Sequence, residues 1–460
     1  MSFLDFKWQK VLNSGSFMRG KYFLLAAFLG TAVSAQTLTL EESIAYALQH
    51  SPQHKIIYKD REIGKSQARQ GYAAVLPQLS LSYSDAAVKT PQSDVAPTNP
   101  DPMLQNLLSM FGGSEDETKT KSEEFTGQQL LFSFSGLAAI GASWSSGKLT
   151  DYIYADASEQ FVLSVRRAFF DLQAANAMRS LAADLAVLTD TYARNAELMF
   201  GSGLTSRKEM LDVHIQAYEA QKNLTNAEKA AAAARYNFNI TIGLPVSETV
   251  QLVAYNVEVA ADILTKNFDA AALTEEAYSL RPSYLAAQEA VWLNQVDHFN
   301  AWSSSLPAVY YSYSKKKTTY DPESLMTSSG ETETNAISVK WNFFAGGANW
   351  FKIHEKANNS DRQKEQLKLA RSRLLVEIQN SFDEVKAQAQ NILTVRAQDA
   401  LAAEALAIAK IDFESGNGTA TQLNDAIARQ QSAGNDLIRA LYDYEYARAK
   451  LNYAAGQQVL

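Results

Sequence analysis

The chain has 460 residues, of which 46% are hydrophobic and 20% charged, and its formal net charge is -8 at pH 7. This length allows a large buried core, and the acidic balance leaves no basic surface for DNA or RNA, so no nucleic-acid partner is expected. The chain contains no cysteine, which excludes disulfides, thiolate metal sites, thiol nucleophiles and an N-terminal lipid-bearing Cys.

The N-terminus has the order of a secretory signal. Two basic residues precede an apolar run at 22–33, which is followed by small residues ending at Ala35. The run is shorter than the roughly 20 residues that a spanning helix needs, so the pattern predicts a signal peptide over residues 1–35, cleaved after Ala35. Residues 1–17 do not fit such a signal, and Met18 is a candidate for the true start. No later apolar run reaches spanning length, which favours a secreted, periplasmic or β-barrel protein.

The sequence contains an internal repeat. Leu76-Pro77 returns as Leu306-Pro307, 230 residues later, and Gly203 returns as Gly416, 213 residues later. The first half therefore carries extra residues between these points, in a segment rich in proline, glycine and acidic residues that is typical of a long exposed loop. Self-similarity of this kind predicts an internal structural duplication. The predicted divisions are a first repeat at 36–245, an inter-repeat equatorial linker at 246–272 and a second repeat at 273–460, each repeat in the order helix, β-hairpin, long helix and helix.

Proline placement separates the helical segments from the rest of the chain. No proline occurs at 103–244 or after residue 322, whereas one interior proline costs a helix about 3 kcal/mol. In these intervals apolar residues recur at spacings of three, four and seven, which predicts long antiparallel coiled-coil helices. One of them would extend from Asn349 to Phe413, roughly 100 Å at about 1.5 Å per residue. The glycines predicted to form the tips of the helical hairpins are Gly201, Gly203, Gly416 and Gly418.

Between the helical segments lie stretches in which apolar and polar residues alternate. They cover 79–84, 309–314, 337–343 and, more weakly, 126–134. The alternation predicts β-strands with one apolar and one polar face, in hairpins at about 77–136 and about 307–345. An antiparallel sheet over a soluble core would show the same pattern. Tryptophans near the strand ends favour a membrane barrel, and four strands are too few to close one, so the chain would have to oligomerise.

The alternation assigns the strand residues to two environments. The residues predicted to face lipid are Leu81, Tyr83, Val339 and Trp341. The residues predicted to face a lumen are Ser82, Ser312 and Lys340. The run Lys315-Lys316-Lys317 follows a predicted strand and is interpreted as a solvated loop, with binding of outer-leaflet phosphates as the alternative.

The order of these features resembles that of a known family. The segment at 38–48 follows the signal, Leu-Pro pairs precede the strands, Asn-Phe-Phe-Ala-Gly-Gly stands at 342–347, and the helical hairpins have glycine tips. Nearly everything after Ala35 resembles the TolC family of outer-membrane efflux proteins. The resemblance implies a mixed α and β fold in a homotrimer. Each chain would give four transmembrane strands to one 12-stranded outer-membrane β-barrel, continued by a periplasmic α-barrel of coiled-coil hairpins.

The same resemblance implies partners and a gate. The partners are a periplasmic adaptor, or membrane fusion protein, that contacts the hairpin tips, an inner-membrane pump, and outer-membrane lipid. In the family, inward carboxylates near the tips constrict the channel. The matching positions here are Glu209, Asp212, Gln422 and Asp425. Gln422 and Gly418 depart from the family pattern, because a carboxylate and an arginine often stand there. The alternative is that the acidic residues only stabilise the starts of the returning helices through the helix dipole.

The sequence contains none of the usual catalytic motifs. The five histidines form no metal-binding pair on a helix, and Gly141–Lys148 lacks the spacing and the Ser or Thr of a phosphate loop, so that segment is interpreted as a strand-to-helix connection. We therefore expect no enzyme activity, no cofactor and no metal. The function predicted from the sequence is an outer-membrane channel subunit that forms the exit duct of a tripartite efflux pump or a type I secretion system, with its helical tunnel in the periplasm. The alternative is a soluble periplasmic coiled-coil scaffold without a pore.

Overall fold

The computed structural model describes residues 37–88, 101–103, 118–258, 264, 269–321 and 328–457. The predicted signal peptide and its cleavage site at Ala35 lie outside the described residues, as does most of the long loop predicted in the first β-hairpin.

Helices make up most of the described chain. They are α1 (Leu40–His50), α2 (Pro52–Gln70), α3 (Phe134–Gly201), α4 (Arg207–Ile242), α5 (Ala270–Leu280), α6 (Pro282–Ser303), α7 (Ala348–Glu414) and α8 (Ala420–Ala455). The predicted helix from Asn349 to Phe413 is confirmed as α7. In the parts of the chain that the structure describes, no helix has an apolar stretch long enough to cross a membrane.

The helices repeat in length as well as in order. The first series, α1 to α4, has 11, 19, 68 and 36 residues. The second series, α5 to α8, has 11, 22, 67 and 36 residues. In both series a proline begins the second helix. The N–H group at this position forms no hydrogen bond within a helix, so its absence in proline costs nothing. The predicted internal duplication is therefore confirmed at the level of the fold.

The strands form one antiparallel sheet and one short parallel pair. The strands are β1 (Thr37–Leu38), β2 (Gln78–Val88), β3 (Thr118–Phe132), β4 (Gln251–Leu252), β5 (Ala308–Asp321) and β6 (Gly330–Lys340). The larger sheet has the order β2-β3-β5-β6, and each neighbouring pair is antiparallel. The other pair joins β1 to β4 in parallel. The two predicted β-hairpins thus lie side by side.

Three local predictions were wrong. The strand predicted from Thr126 begins at Thr118, and Lys315-Lys316-Lys317 lies inside β5 and is not a loop. Both strand regions are rich in charge and lack apolar alternation, so backbone pairing with neighbouring strands determines them. Gly141–Lys148 lies inside α3 and is not a connection.

The helices form a single layer continuous with the sheet. Near the sheet α3 packs between α2 and α6, and α6 packs against α7. Farther from the sheet α3 packs between α4 and α8, and α8 packs against α7. Helix α3 is therefore flanked on two sides over its whole length, and the short helix α1 also contacts it in the middle of the layer.

The core follows the seams between these helices. Near the interhelical turns, Tyr192 and Phe413 pack with Val213 and Leu423. In the middle of the layer, α1 packs on the aromatic residues Phe161 and Phe169 of α3. Coiled-coil packing of this kind buries one stripe of each helix and leaves the rest of the helix exposed.

Each helical hairpin turns at glycines, in the two places that the sequence predicts. Gly203 and Gly416 have φ values of 74° and 73°, which only glycine adopts readily. Gly201 lies in the last turn of α3. At Gly418 glycine is required for lack of space, because an added Cβ would lie 2.9 Å from the Cβ of Asp412. The four glycines therefore form two turns of similar geometry.

Gly243, which ends α4, provides a test of this packing. Its φ is 89°, and an added Cβ would lie 2.8 Å from backbone atoms of His50 and Ser51. We expect Gly243→Ala to destabilise the protein by more than the roughly 1–2 kcal/mol that left-handed backbone alone costs. Gly416→Ala is the matched control, because its φ is 73° and nothing lies within 4 Å of the added atom. Thermal unfolding of both variants checks this; equal losses of stability would contradict it.

Candidate functional site

The larger sheet separates its side chains into two classes. In the observed register Leu81 lies opposite Phe125, Tyr311 opposite Ile337 and Val309 opposite Val339. Directly opposed residues share a face, so one face carries odd-numbered residues from all four strands. We call this the apolar face; its large exposed members are Leu79, Leu81, Tyr83, Phe125, Tyr311, Ile337 and Val339. Exposure is high, reaching 78% for Leu81 and 72% for Ile337.

The opposite face of the same strands is lined with hydroxyl groups. We call it the polar face; it carries Ser80, Ser82, Ser84, Thr126, Ser312, Ser314, Thr334, Ser338 and Lys340. The hydroxyls of Ser80 and Thr126 are 2.5 Å apart across β2 and β3, and Ser314 Oγ donates to Glu124 Oε1 at 3.2 Å. The sheet therefore presents one greasy and one hydrogen-bonding surface.

The predicted strand residues separate along these two faces. Leu81, Tyr83 and Val339, predicted to face lipid, lie on the apolar face. The residues predicted to face a lumen, Ser82, Ser312 and Lys340, lie on the polar face. Trp341 follows the last residue of β6, so it lies outside the strand in which it was predicted. Its indole Nε1 donates to the Ser305 carbonyl at 3.1 Å, which holds the ring beside the end of α6.

Both edges of the layer are open in the single chain. Within the described strands, β2 and β6 each pair with one neighbour, so their outer edges present unpaired N–H and C=O groups. The outer helices also expose apolar side chains. On α2 and α7 these include Ile56, Ile63, Val376, Leu401 and Ile411. Unpaired edges next to exposed apolar helices are features that self-association covers.

At the far end of the layer, Glu209 acts as a capping residue. Its carboxylate accepts from Thr205 Oγ1 at 2.8 Å and from the Ser206 backbone N–H at 3.3 Å, and its own N–H donates to Ser206 Oγ at 3.2 Å. The Thr205 hydroxyl, followed by the Ser206 N–H, holds the pKa of Glu209 below its usual value. Gln422 holds the same place in α8, where its Oε1 accepts from the Thr419 N–H at 2.9 Å.

Asp212 and Asp425 lie one turn farther along the two returning helices. The helix dipole stabilises a negative charge mainly within the first turn of a helix. Both aspartates lie beyond that turn. Asp425 is exposed, and Asp212 is half-buried. The Asp212 backbone carbonyl accepts from Asn424 Nδ2 at 3.2 Å, a bond that joins the two helical hairpins. The four candidate gate residues thus form a capping pair and a second pair that capping does not explain.

A second link between the two hairpins was not predicted from the sequence. Tyr192 of α3 is only 4% exposed, and its hydroxyl donates to Glu414 Oε1 of α7 at 3.0 Å. Burial, followed by the hydrogen bond to Glu414, raises the pKa of Tyr192 to about 12. Heptad spacing places Tyr192 in the seam, but no sequence signal pairs it with Glu414.

Histidine and acidic side chains do not cluster as metal ligands in the described part of the chain. No group of three or more His, Cys, Asp or Glu residues is arranged there to hold a metal ion. The nearest histidine–carboxylate pair, His214 Nε2 with Glu197 Oε1 at 3.1 Å, joins α3 to α4 beside the turn.

A sequence profile of the outer membrane efflux protein family matches residues 44–242 and 273–457, which is most of the chain. The chain belongs to this family. It is therefore an outer-membrane efflux protein, of a family of channels and not of enzymes. The two matched segments correspond to the two halves of the duplicated fold.

Solved structures show the same fold at low sequence identity. VceC from Vibrio cholerae aligns with a TM-score of 0.71 and 16% identity, over 92% of this chain and 97% of that chain. CusC aligns with a TM-score of 0.72 and 14% identity, over 91% and 92% of the two chains. The CmeC outer membrane channel from Campylobacter jejuni aligns with a TM-score of 0.72 and 15% identity, over 92% and 87%. No curated protein matches the sequence.

The N-terminal caps of α4 and α8 differ by one charge, because Glu209 in α4 corresponds to Gln422 in α8. The stability of the two caps should therefore depend differently on pH. Because the pKa of Glu209 is lowered in the folded protein, its contribution is present above the ordinary value of 4.5 and is lost as pH falls below it. We expect Glu209→Gln to remove this dependence while keeping the cap, as Gln422 does in α8. Gln422→Glu should add the same dependence to α8. Hydrogen exchange of the first turn of each helix, compared between variants at the same pH, measures both; a pH response in α4 that survives Glu209→Gln would contradict the assignment.

Proposed function

We propose that the chain is the channel subunit that forms the exit duct of a tripartite efflux pump or of a type I secretion system. It acts as a passive conduit for substrates that an inner-membrane transporter drives. The observation that carries this proposal is the four-stranded sheet with one exposed apolar face, one hydroxyl-rich face and two open edges.

The direction of the edge strands supports closure into a ring. With four strands in antiparallel order, β2 and β6 run in opposite directions. When copies stand side by side, β6 of one copy meets β2 of the next in antiparallel orientation, so the sheet continues without a break. Four strands cannot close a barrel, since even small ones use about eight. A homotrimer supplies 12 strands, the number that the family resemblance implies.

The two faces of the sheet fit the two sides of such a barrel. The apolar face, with Leu81, Tyr83 and Val339, contacts outer-membrane lipid, and the polar face, with Ser82, Ser312 and Lys340, lines the lumen. Membrane barrels alternate in this way between lipid and water. A periplasmic scaffold without a pore is disfavoured, because it would leave the whole apolar face in water.

The opposite end of the duct lies in the periplasm, and its mouth is formed by the two helical turns. The turns at Gly201–Gly203 and Gly416–Gly418 contact a periplasmic adaptor, which links the duct to the inner-membrane pump. Asp212 and Asp425 face the lumen there. Threefold symmetry would repeat each carboxylate three times and create a negative focus at the mouth.

Arginine substitutions on the two faces test the barrel. Val339→Arg places a charge on the proposed lipid-facing side and should cost about 2–4 kcal/mol near mid-membrane, so fewer trimers reach the outer membrane. Ser312→Arg, on the polar face of the neighbouring strand, should assemble normally and change conductance. Trimer yield in outer-membrane fractions and single-channel recordings measure the two effects; equal tolerance of both substitutions in assembly would refute the barrel.

Asp425→Asn tests the periplasmic gate. If the carboxylate faces the lumen, its loss lowers cation selectivity and weakens block by multivalent cations, with little change in trimer stability. Gln422→Asn is the control, because it alters the cap of the same helix without changing a charge, and it should leave selectivity unchanged. Planar-bilayer recordings measure selectivity. Unchanged selectivity of Asp425→Asn with a lower melting temperature would instead give Asp425 a helix-stabilising role.

A further inference from the structure

The apolar region of the sheet is too short to span a membrane. On the apolar face it covers Leu79–Tyr83 in β2 and Val309–Tyr313 in β5. Four residue steps correspond to about 13 Å along a strand at ~3.3 Å per residue, and the usual tilt of about 40° reduces this to roughly 10 Å of height. A membrane barrel presents an apolar band about 25 Å tall. The sheet therefore supplies less than half of that band.

The missing part does not lie farther along the strands. Beyond Tyr83 and Tyr313 the same face becomes charged in all four strands. Its charged residues are Asp85, Lys119, Lys121, Glu123, Lys315, Lys317, Asp321, Glu331 and Glu333. Opposite charges meet across neighbouring strands, as in the ion pair between Lys315 and Glu331. Each lysine at mid-membrane would cost about 2–4 kcal/mol, and each aspartate or glutamate less, so hydrocarbon ends where this charged region begins.

In the other direction, large apolar side chains continue from the sheet onto the helices. We call them the aromatic stripe: Leu137, Ile140 and Trp144 on α3, with Trp292, Phe299 and Trp302 on α6. All six are exposed, and steps of three, four and seven residues place each set on one side of its helix. The two indole rings of Trp144 and Trp292 meet edge to face, with centroids 5.8 Å apart.

Two contacts join the sheet to the helices that carry the stripe. The Phe132 ring, which ends β3 opposite Val309, packs on Phe134 at the start of α3, with centroids 5.2 Å apart. At the end of β6, Trp341 donates to the Ser305 carbonyl just after α6. Both contacts lie at the junction between the sheet and these two helices, so the apolar face and the stripe are adjacent.

The opposite side of the same helices is polar or small, as on the sheet. On α3 it carries Ser135, Ala142 and Ser146, and on α6 it carries Ala290 and Asp297, at helical positions about half a turn from the stripe. Both helices are thus amphipathic across the layer, even though neither is apolar enough to span a membrane on its own.

The length of the stripe supplies the missing height. From Trp302 to Trp292 is ten residues, or about 15 Å at ~1.5 Å per residue. Added to the roughly 10 Å of the sheet, this gives about 25 Å, the height of a membrane-barrel band. At the far end of the stripe, the Lys148 ammonium lies 3.9 Å from the Trp144 ring centroid. Tryptophan and lysine together are typical of a lipid–water interface.

We infer that the lipid-facing surface extends from the sheet onto the start of α3 and the end of α6. Acyl chains of the periplasmic leaflet contact the aromatic stripe, and the Trp144–Trp292 pair with Lys148 lies at the periplasmic lipid–water interface. The inference rests on the proposed function, because it assumes that the apolar face of the sheet contacts lipid.

The chain has no cysteine, so single cysteines carry spin labels without ambiguity. Three variants of the full protein, reconstituted in phospholipid vesicles, are compared: Ile140→Cys in the stripe, Ala142→Cys at the same height on the opposite side of α3, and Ile337→Cys on the apolar face of the sheet. The collision rate of each label is measured with oxygen, which partitions into lipid, and with a nickel chelate, which stays in water. A high oxygen-to-nickel ratio indicates that the label lies in lipid. We expect the oxygen-to-nickel ratio at Ile140 to match that at Ile337 and to exceed that at Ala142 several-fold.

Two results would count against the inference, and they are distinguishable. A label at Ile140 that behaves like the one at Ala142, while Ile337 remains in lipid, overturns the extended lipid contact and leaves the proposed channel intact. A label at Ile337 that collides mainly with the nickel chelate overturns the proposed channel and the inference together.

Discussion

The structure depends on one constraint: the chain is a single layer that cannot cover its own surfaces. Helix α3 buries one seam, with Val165 and Phe169 inside, and exposes Ile153, Val187 and Leu198 elsewhere. A compact domain would fold a second layer over such residues. Here the helices of the second half of the chain extend the layer sideways. The open strands β2 and β6 and the exposed residues of α2 and α7 are both consequences of this single-layer arrangement. Contact with further copies of the chain is the remaining way to cover them.

Duplication explains how one chain makes so wide a layer. The two halves are not identical, and one difference lies at the junction before the second helix of each half. Ser51 precedes the proline of α2, whereas Arg281 precedes the proline of α6. Arg281 is 2% exposed; its guanidinium donates to the Tyr453 carbonyl at 2.6 Å and lies 3.7 Å from the Tyr453 ring centroid. In the first repeat Gly243 approaches the backbone of His50 and Ser51, where an added Cβ would lie 2.8 Å away. A glycine approaches the junction closely in both repeats, Gly243 in the first and Gly456 in the second, and the second repeat adds the buried arginine.

Much of the fold was predictable from the sequence because long-range periodicity encodes it. Ile378, Val385 and Ile392 recur at the spacing of seven on which the helices were predicted, and all three are fully buried. The charged half of β3 was not predictable, since its side chains alternate lysine and glutamate with hydroxyls and pairing with β2 and β5 makes it a strand. The roles of the tip carboxylates were only partly predictable. Capping by Glu209 is local and has a sequence signature, whereas the direction in which Asp425 points depends on neighbouring chains that no single sequence describes.

The distribution of charge along the proposed duct indicates where the duct would discriminate between transported substrates. Within the described strands the polar face carries only Glu124, Lys316 and Lys340 as charged residues, among many hydroxyls. Hydroxyls exchange hydrogen bonds with water at little net cost, so such a wall neither holds nor rejects most cargo. At the other end, Asp212 and Asp425 lie in the second turn of α4 and α8, near the Tyr192–Glu414 hydrogen bond that connects the two helical hairpins. A duct of this kind leaves discrimination to its periplasmic mouth and to the transporter, and it needs only a wide, weakly interacting path beyond them.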